Sequence, residues 1–188
     1  MTRFLAAAEV CERLARTPGR LDRARLLADF LGILAAEEVA PAVRLLLGLS
    51  GRGETAVSGR TLWRVLEALG GDGDVAWEGA VDFGEAVERR LGALPAHAAV
   101  TPTLSIAEVE RRIRDLATPR GRGSRAGKEE RLAALLRMLS PLEAKYVAKN
   151  LIREMRTGAA EGVMVGVVMT PIIFGNSQRP SCDMRVCP

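Results

Sequence analysis

The chain has 188 residues, a formal net charge of +4, 48% hydrophobic residues and only 4% aromatic ones. That length suits one ordinary domain or two small helical lobes sharing a core, and an interior poor in rings must be filled by Leu, Val, Ala and Met, the material of helix-on-helix packing. Cys11, Cys182 and Cys187 are an odd set without ligand spacing and His97 is the only histidine, which argues against a disulfide framework or a zinc site, while the basic balance favours an anionic partner.

Residues 1–16 read as a charged amphipathic segment with no apolar leader core, so a cytoplasmic protein is expected. Phe4, Leu5, Ala8, Cys11, Leu14 and Ala15 fall at helical spacing until Thr17-Pro18-Gly19 stops the pattern. Leu21, Leu27, Leu31 and Leu34 predict a second amphipathic helix, and Pro41 is expected to open a short apolar helix through Leu47, where its missing amide does no harm. Residues 48–57 read as a glycine-broken loop, and Ser58 is placed to cap a helix carrying Leu62, Val65, Leu66 and Leu69. Two short helices follow around Trp77 and over residues 82–91, with Phe83, Val87 and Leu91 at four-residue spacing. Residues 92–103, with two prolines, are the expected boundary between lobes.

Ser105 and Glu108 form a capping box for a helix faced by Ile106, Val109, Ile113 and Leu116. Residues 118–128 are a loop rich in glycine and cation, and Leu132, Leu135, Leu136 and Leu139 mark the helix behind it. Ser140, Pro141 and Glu143 make the clearest helix start, and that helix is expected to run through Tyr146, Leu151 and Met155 to a stop at Gly158. One more helix is expected over residues 161–169. The most apolar run, residues 163–174, is shorter than the ~20 residues that a bilayer needs, so it predicts a buried helix and no membrane partner. No strand pattern occurs, and the expected fold class is all-α.

Glycine loops that feed helices expose backbone amides next to the positive end of the helix dipole, a setting that suits phosphate. Gly121-Arg122-Gly123-Ser124, with Lys128 one turn into the following helix, is the first such place. It is not a nucleotide-binding P-loop, because Gly127-Lys128 is followed by Glu129 and no strand precedes it; a solvated interhelical loop is the plain alternative. The second is the turn containing Arg156, Gly158 and Gly162, into which Lys145, Lys149, Arg153 and Arg156 lead at spacings that put them on one helical face. Such a stripe taken alone is better explained by a solvated face pairing with Glu143 and Glu154. The third is Gly59-Arg60 at the start capped by Ser58. Three helix starts on one surface could straddle a duplex by its backbone without reading its sequence.

The run from Lys145-Tyr146-Val147-Ala148-Lys149-Asn150 to Gly158-Ala159-Ala160-Glu161-Gly162, preceded by Gly121-Arg122-Gly123-Ser124 and Lys128, resembles the N-terminal DNA-binding domain of archaeal and bacterial ATP-dependent DNA ligases. The resemblance spans residues 1–168, strongest from Leu104 onward, and residues 57–62 are similar to the family's earlier glycine turn. It implies a two-lobed bundle of short helices that grips nicked duplex DNA through phosphates, in DNA repair, replication and recombination, and that has no chemistry of its own. The site residues it implies are Gly59, Arg60, Gly121, Arg122, Gly123, Ser124, Lys128, Lys145, Lys149, Arg153, Arg156, Gly158 and Gly162.

The family's nucleophile is a lysine in a Lys-x-Asp-Gly motif, and none of the three lysines here qualifies. Lys128 precedes Glu129-Glu130, Lys145 precedes Tyr146-Val147 and Lys149 precedes Asn150-Leu151. The chain alone is therefore expected to be inactive in sealing nicks and to hold no cofactor or metal, with ATP and Mg expected only for a full-length parent ligase. Residues 169–188 lose both the resemblance and the helical period, and are expected to be a disordered tail of a truncated or frameshifted product; a stand-alone domain working with a separately encoded catalytic ligase domain is the alternative. A helical protein-interaction scaffold with no nucleic-acid role is the competing function.

Overall fold

The computed structural model describes residues 1–50, 57–116 and 124–155. Among them the regular structure is α-helix throughout, with one isolated antiparallel bridge between Arg3 and Ser105. The expected helix at 161–169, the apolar run at 163–174 and the tail at 169–188 lie outside the described residues.

Helix α1 (Phe4–Arg16) buries Phe4, Ala7, Ala8, Cys11 and Leu14. Its end at Thr17 follows from Pro18, which disfavours helical backbone in the residue before it. Helix α2 (Arg20–Gly32) buries Leu27, Phe30 and Leu31. Leu21, assigned to the same stripe by its spacing, is 73% exposed, because residues 20–22 all stand clear of the core.

Helix α3 (Ala36–Leu46) corrects the expectation for Pro41, which lies inside the helix and not at its start. Proline there forfeits the bond to the carbonyl four residues back. The start is fixed instead by the buried Glu38 carboxylate, which accepts from the Ala35 amide at 3.3 Å, the Thr2 amide at 2.6 Å and the Thr2 hydroxyl at 2.9 Å. The Thr2 amide bond is the main reason that this carboxyl sits below its ordinary range. Beyond α3, Gly48 has φ +67°, and a Cβ there would meet the Met155 side chain at 2.9 Å, so only glycine suits the turn.

Helices α4 (Gly59–Leu69), α5 (Gly73–Trp77), α6 (Phe83–Gly92) and α7 (Pro95–Ala98) follow. As expected, the Ser58 hydroxyl accepts the Thr61 amide at the start of α4, and Leu62, Val65 and Leu66 are buried. Both predicted capping boxes form, Ser105 with Glu108 opening α8 (Ile106–Asp115) and Ser140 with Glu143 opening α10 (Pro141–Ile152).

Two boundaries differ from expectation. Helix α9 (Ser124–Leu136) begins inside the glycine loop, so the last five of the residues read as loop, from Ser124 to Lys128, are helical. Helix α10 ends at Ile152, well before Gly158, because Arg153 adopts a left-handed conformation with φ 60° and ψ 37°. The Glu154 amide then returns to the Lys149 carbonyl at 2.8 Å, and Met155 tucks against Gly48.

Helix α10 packs chiefly on α6 and α1, while α8 packs on α3 and α9 on α4. Residues from both sides of the 92–103 segment share one buried cluster, including Leu14, Leu46, Leu66, Leu91, Ile113, Leu135 and Val147. Near its end, buried Asn150 donates to the Leu45 carbonyl at 2.8 Å, joining α10 to the close of α3. Among the described residues, no helix is long and apolar enough to cross a membrane.

Candidate nucleic-acid interface

Two of the glycine helix starts are tied together. Arg64 donates to Glu129 at 2.8 Å, and Arg125 reaches the same carboxylate oxygen at 3.3 Å. Arg64 and Glu129 are each the sixth residue of their helices, so the starts of α4 and α9 are held within a short span of one ion-pair cluster. Hydrogen bonding from Arg64, with its charge, keeps the Glu129 carboxyl below its usual range. The exposed Arg60 and the half-buried Lys128 stand on these two helices. Helix geometry leaves the amides of Gly59 and Arg60 without an intrahelical acceptor, adding partial positive charge beside the guanidinium.

The lysine-arginine stripe is organised differently from the reading that put it on one outward face. Lys145 is buried, with its ammonium 2.5 Å from Glu12 of α1 and 2.9 Å from Glu88 of α6. Lys149 is buried as well, 2.7 Å from Asp82, the residue that caps α6. Arg153 is exposed, but its left-handed backbone takes it off the helical face. Both ammonium groups are thus already neutralised by carboxylates from other helices. Gly121, Arg122, Gly123, Arg156, Gly158 and Gly162 lie outside the described residues; Ser124 is placed by its backbone as the first residue of α9.

Lys149 nevertheless bears on the surface. A Cβ on Gly84 would lie 2.5 Å from its Cε, so the side chain threads past a bare backbone to reach Asp82. The adjoining Phe83 packs on Gly59. A buried lysine therefore sets the start of α6, and α6 supports the start of α4.

The titrations follow from this geometry. Burial raises the Glu12 carboxyl, but hydrogen bonds from Lys145 and from Tyr146, at 2.8 Å, outweigh it and hold the group low. Burial likewise opposes, and Lys149 and the Glu85 amide overcome, for Asp82. Burial depresses Lys145 while its two carboxylates raise it further. Depressed carboxylates stabilise the fold fully above their ordinary values of 4.5 and 3.8 and lose that contribution as pH falls through the lower folded values. A raised lysine stabilises fully below 10.5 and loses its contribution as pH rises through its folded value. Helical circular dichroism followed into acid should therefore fall below the carboxylate range, and Lys145→Met should blunt that pH dependence; an unchanged acid profile would contradict the role given to the pairs.

Sequence reasoning missed one feature. Trp63 of α4, Trp77 of α5 and Phe83 of α6 pack ring against ring, with centroids 5.4 Å apart for the tryptophans and 5.8 Å from each to Phe83. With Gly59, Arg60 and Arg64 they line a groove of about 400 Å³. The Arg90 guanidinium lies 5.0 Å from the Trp63 ring centre and donates to the Gly70 and Gly71 carbonyls at 2.9 and 2.8 Å. The available signal was that both tryptophans of an aromatic-poor chain fall within one short stretch of helices. Among the described residues no group of three His, Cys, Asp or Glu is placed to hold a metal ion.

Comparison with known proteins agrees with this architecture. The family described as DNA ligase N terminus matches residues 3–168. The chain is 32% identical to a DNA ligase of Methanothrix thermoacetophila over 180 residues, covering 87% of the chain and 31% of that protein. It is 33% identical over 161 residues to a probable DNA ligase of Anaeromyxobacter dehalogenans, covering 86% and 26%, and 28% identical to a DNA ligase of Halorubrum lacusprofundi, covering 96% and 34%. The chain thus spans between about a quarter and a third of the length of these relatives. With an all-helical fold and a family match over nearly nine-tenths of its length, the chain belongs to the DNA ligase N-terminal domain family.

Proposed function

We propose that this chain binds duplex DNA through its phosphate backbone, with a preference for nicked duplex, in the repair, replication and recombination work of an ATP-dependent ligase. The family match, together with two glycine helix starts bridged by Arg64, Glu129 and Arg125, carries this reading. Phosphate contacts from such starts fix position without reading bases, so affinity should be indifferent to sequence. Nick sealing, with its ATP and Mg, is assigned to the part of the ligases that this chain does not span, whether joined to it or encoded separately, and its setting is the cytoplasm.

The cations assigned to phosphates are Arg60, Arg122, Lys128, Arg153 and Arg156. Lys145 and Lys149 move from the list of phosphate ligands to that of groups that position the surface, because carboxylates already hold them. Ser124 and the glycines at 59, 121, 123, 158 and 162 contribute amides or close approach. Fluorescence anisotropy with two duplexes of equal length and unrelated sequence should give dissociation constants within about threefold of each other, since backbone contacts carry no sequence information. A strong preference for one sequence, or no binding to either at low salt, would overturn the reading.

A further inference from the structure

The geometry points to a second nucleic-acid site beside the first: the groove of Trp63, Trp77 and Phe83 takes an unpaired nucleobase, stacked on an aromatic ring, while the duplex lies across the starts of α4 and α9. This rests on the phosphate-binding reading of those starts.

Trp77 is 46% exposed, and it is the one aromatic ring among the exposed large apolar side chains of the described residues. It is not a ring left loose. Trp63 and Phe83 hold it at 5.4 and 5.8 Å, the latter edge-on, so its exposed surface is presented rigidly. Rings preorganised in this way supply stacking surface at low entropic cost.

The rings and the charge beside them together bear on the occupant. The rim carries the exposed Arg60 and the partly exposed Arg64 against Glu67, the one acid that lines the groove among the described residues. Arg90 is buried against Trp63 and supports that ring, but does not line the groove. Arg64 is already paired with Glu129 and Arg90 with the Gly70 and Gly71 carbonyls, so it is the exposed Arg60 that a purely apolar peptide would leave unanswered. A base with its flanking phosphates satisfies both the rings and Arg60, the combination by which single-stranded nucleic acid is bound. A volume of about 400 Å³ is enough for one base and its sugar. The groove also shares Gly59 and Arg60 with the proposed phosphate site, so a base displaced from a gapped or bulged duplex need travel only a short way.

Trp63 and Trp77 are the only tryptophans, so intrinsic fluorescence reports on this groove directly. Two probes are needed: a fully paired nicked duplex and the same duplex with one unpaired thymidine at the nick. The unpaired base should quench the tryptophans and tighten binding about tenfold, within the range of base–aromatic stacking. Trp77→Leu should abolish that preference while leaving paired-duplex affinity within about twofold, and Trp77→Phe should keep most of it; circular dichroism checks that each variant folds. Equal affinity for both probes with unquenched fluorescence would overturn the groove proposal alone, whereas failure to bind either probe would overturn the duplex reading beneath it. Quenching and competition by polyglutamate as strong as by the oligonucleotide would make the groove a peptide site and equally overturn the proposal.

Discussion

Replacing Lys145 with alanine should destabilise the chain by about 3 kcal/mol, the lower end of what removing one partner of a buried ion pair costs. The lower end applies because Glu12 and Glu88 keep some access to water, at 20% and 34% side-chain exposure, and can be partly rehydrated. Against a typical total of about 5–15 kcal/mol this is a large loss, read directly as a lower urea midpoint. The same variant, studied where it remains folded, should leave the salt dependence of DNA binding unchanged. The opposite result, full stability with a weaker salt dependence, would return Lys145 to the phosphate ligands and contradict the buried geometry.

The second large effect belongs to the surface. Arg60→Gln with Lys128→Gln should weaken duplex binding about 50-fold near 0.1 M salt, as expected when two phosphate contacts and their counterion release are lost. The slope of log affinity against log salt should become shallower by about two units, one for each cation. Both residues sit at helix starts away from the core, so the urea midpoint should hardly move. An unchanged affinity would mean that the starts of α4 and α9 do not face the duplex.

These two outcomes separate residues that looked alike in the sequence. Lys128, Lys145 and Lys149 are the chain's only lysines, and periodicity alone grouped the latter two with Arg153 and Arg156. Spacing along a helix tells which side chains share a face, not what that face meets. The partners of Lys145 and Lys149 come from α1 and α6, far away in sequence, so no local pattern could reveal them. The end of the stripe was equally hidden: Arg153 is a non-glycine residue in a left-handed cap, which propensity would assign to Gly158.

What local physics controls was legible. The hydroxyl caps at Ser58, Ser105 and Ser140 depend on contacts three residues apart, and each forms as read. The buried stripes of α4 and α8 follow their periodicity, and that of α1 does so at Phe4, Ala8, Cys11 and Leu14, while Leu5 is only partly buried and Ala15 is exposed. Pro41 fails as a start signal because the Glu38 carboxylate, serving the neighbouring Ala35 and the sequence-distant Thr2, opens α3 earlier. The aromatic groove depends on three helices converging, and only the tertiary packing of α4, α5 and α6 could bring Trp63, Trp77 and Phe83 together.

The central claim is that duplex DNA is held through its phosphates by Arg60, Arg122, Lys128, Arg153 and Arg156, with Lys145 and Lys149 engaged inside the fold. The most direct test is a salt titration of binding to a nicked duplex by the unaltered chain. Five phosphates neutralised predict a slope of log affinity against log salt of about −4.5. A slope near zero, or no duplex binding at low salt, would contradict the claim.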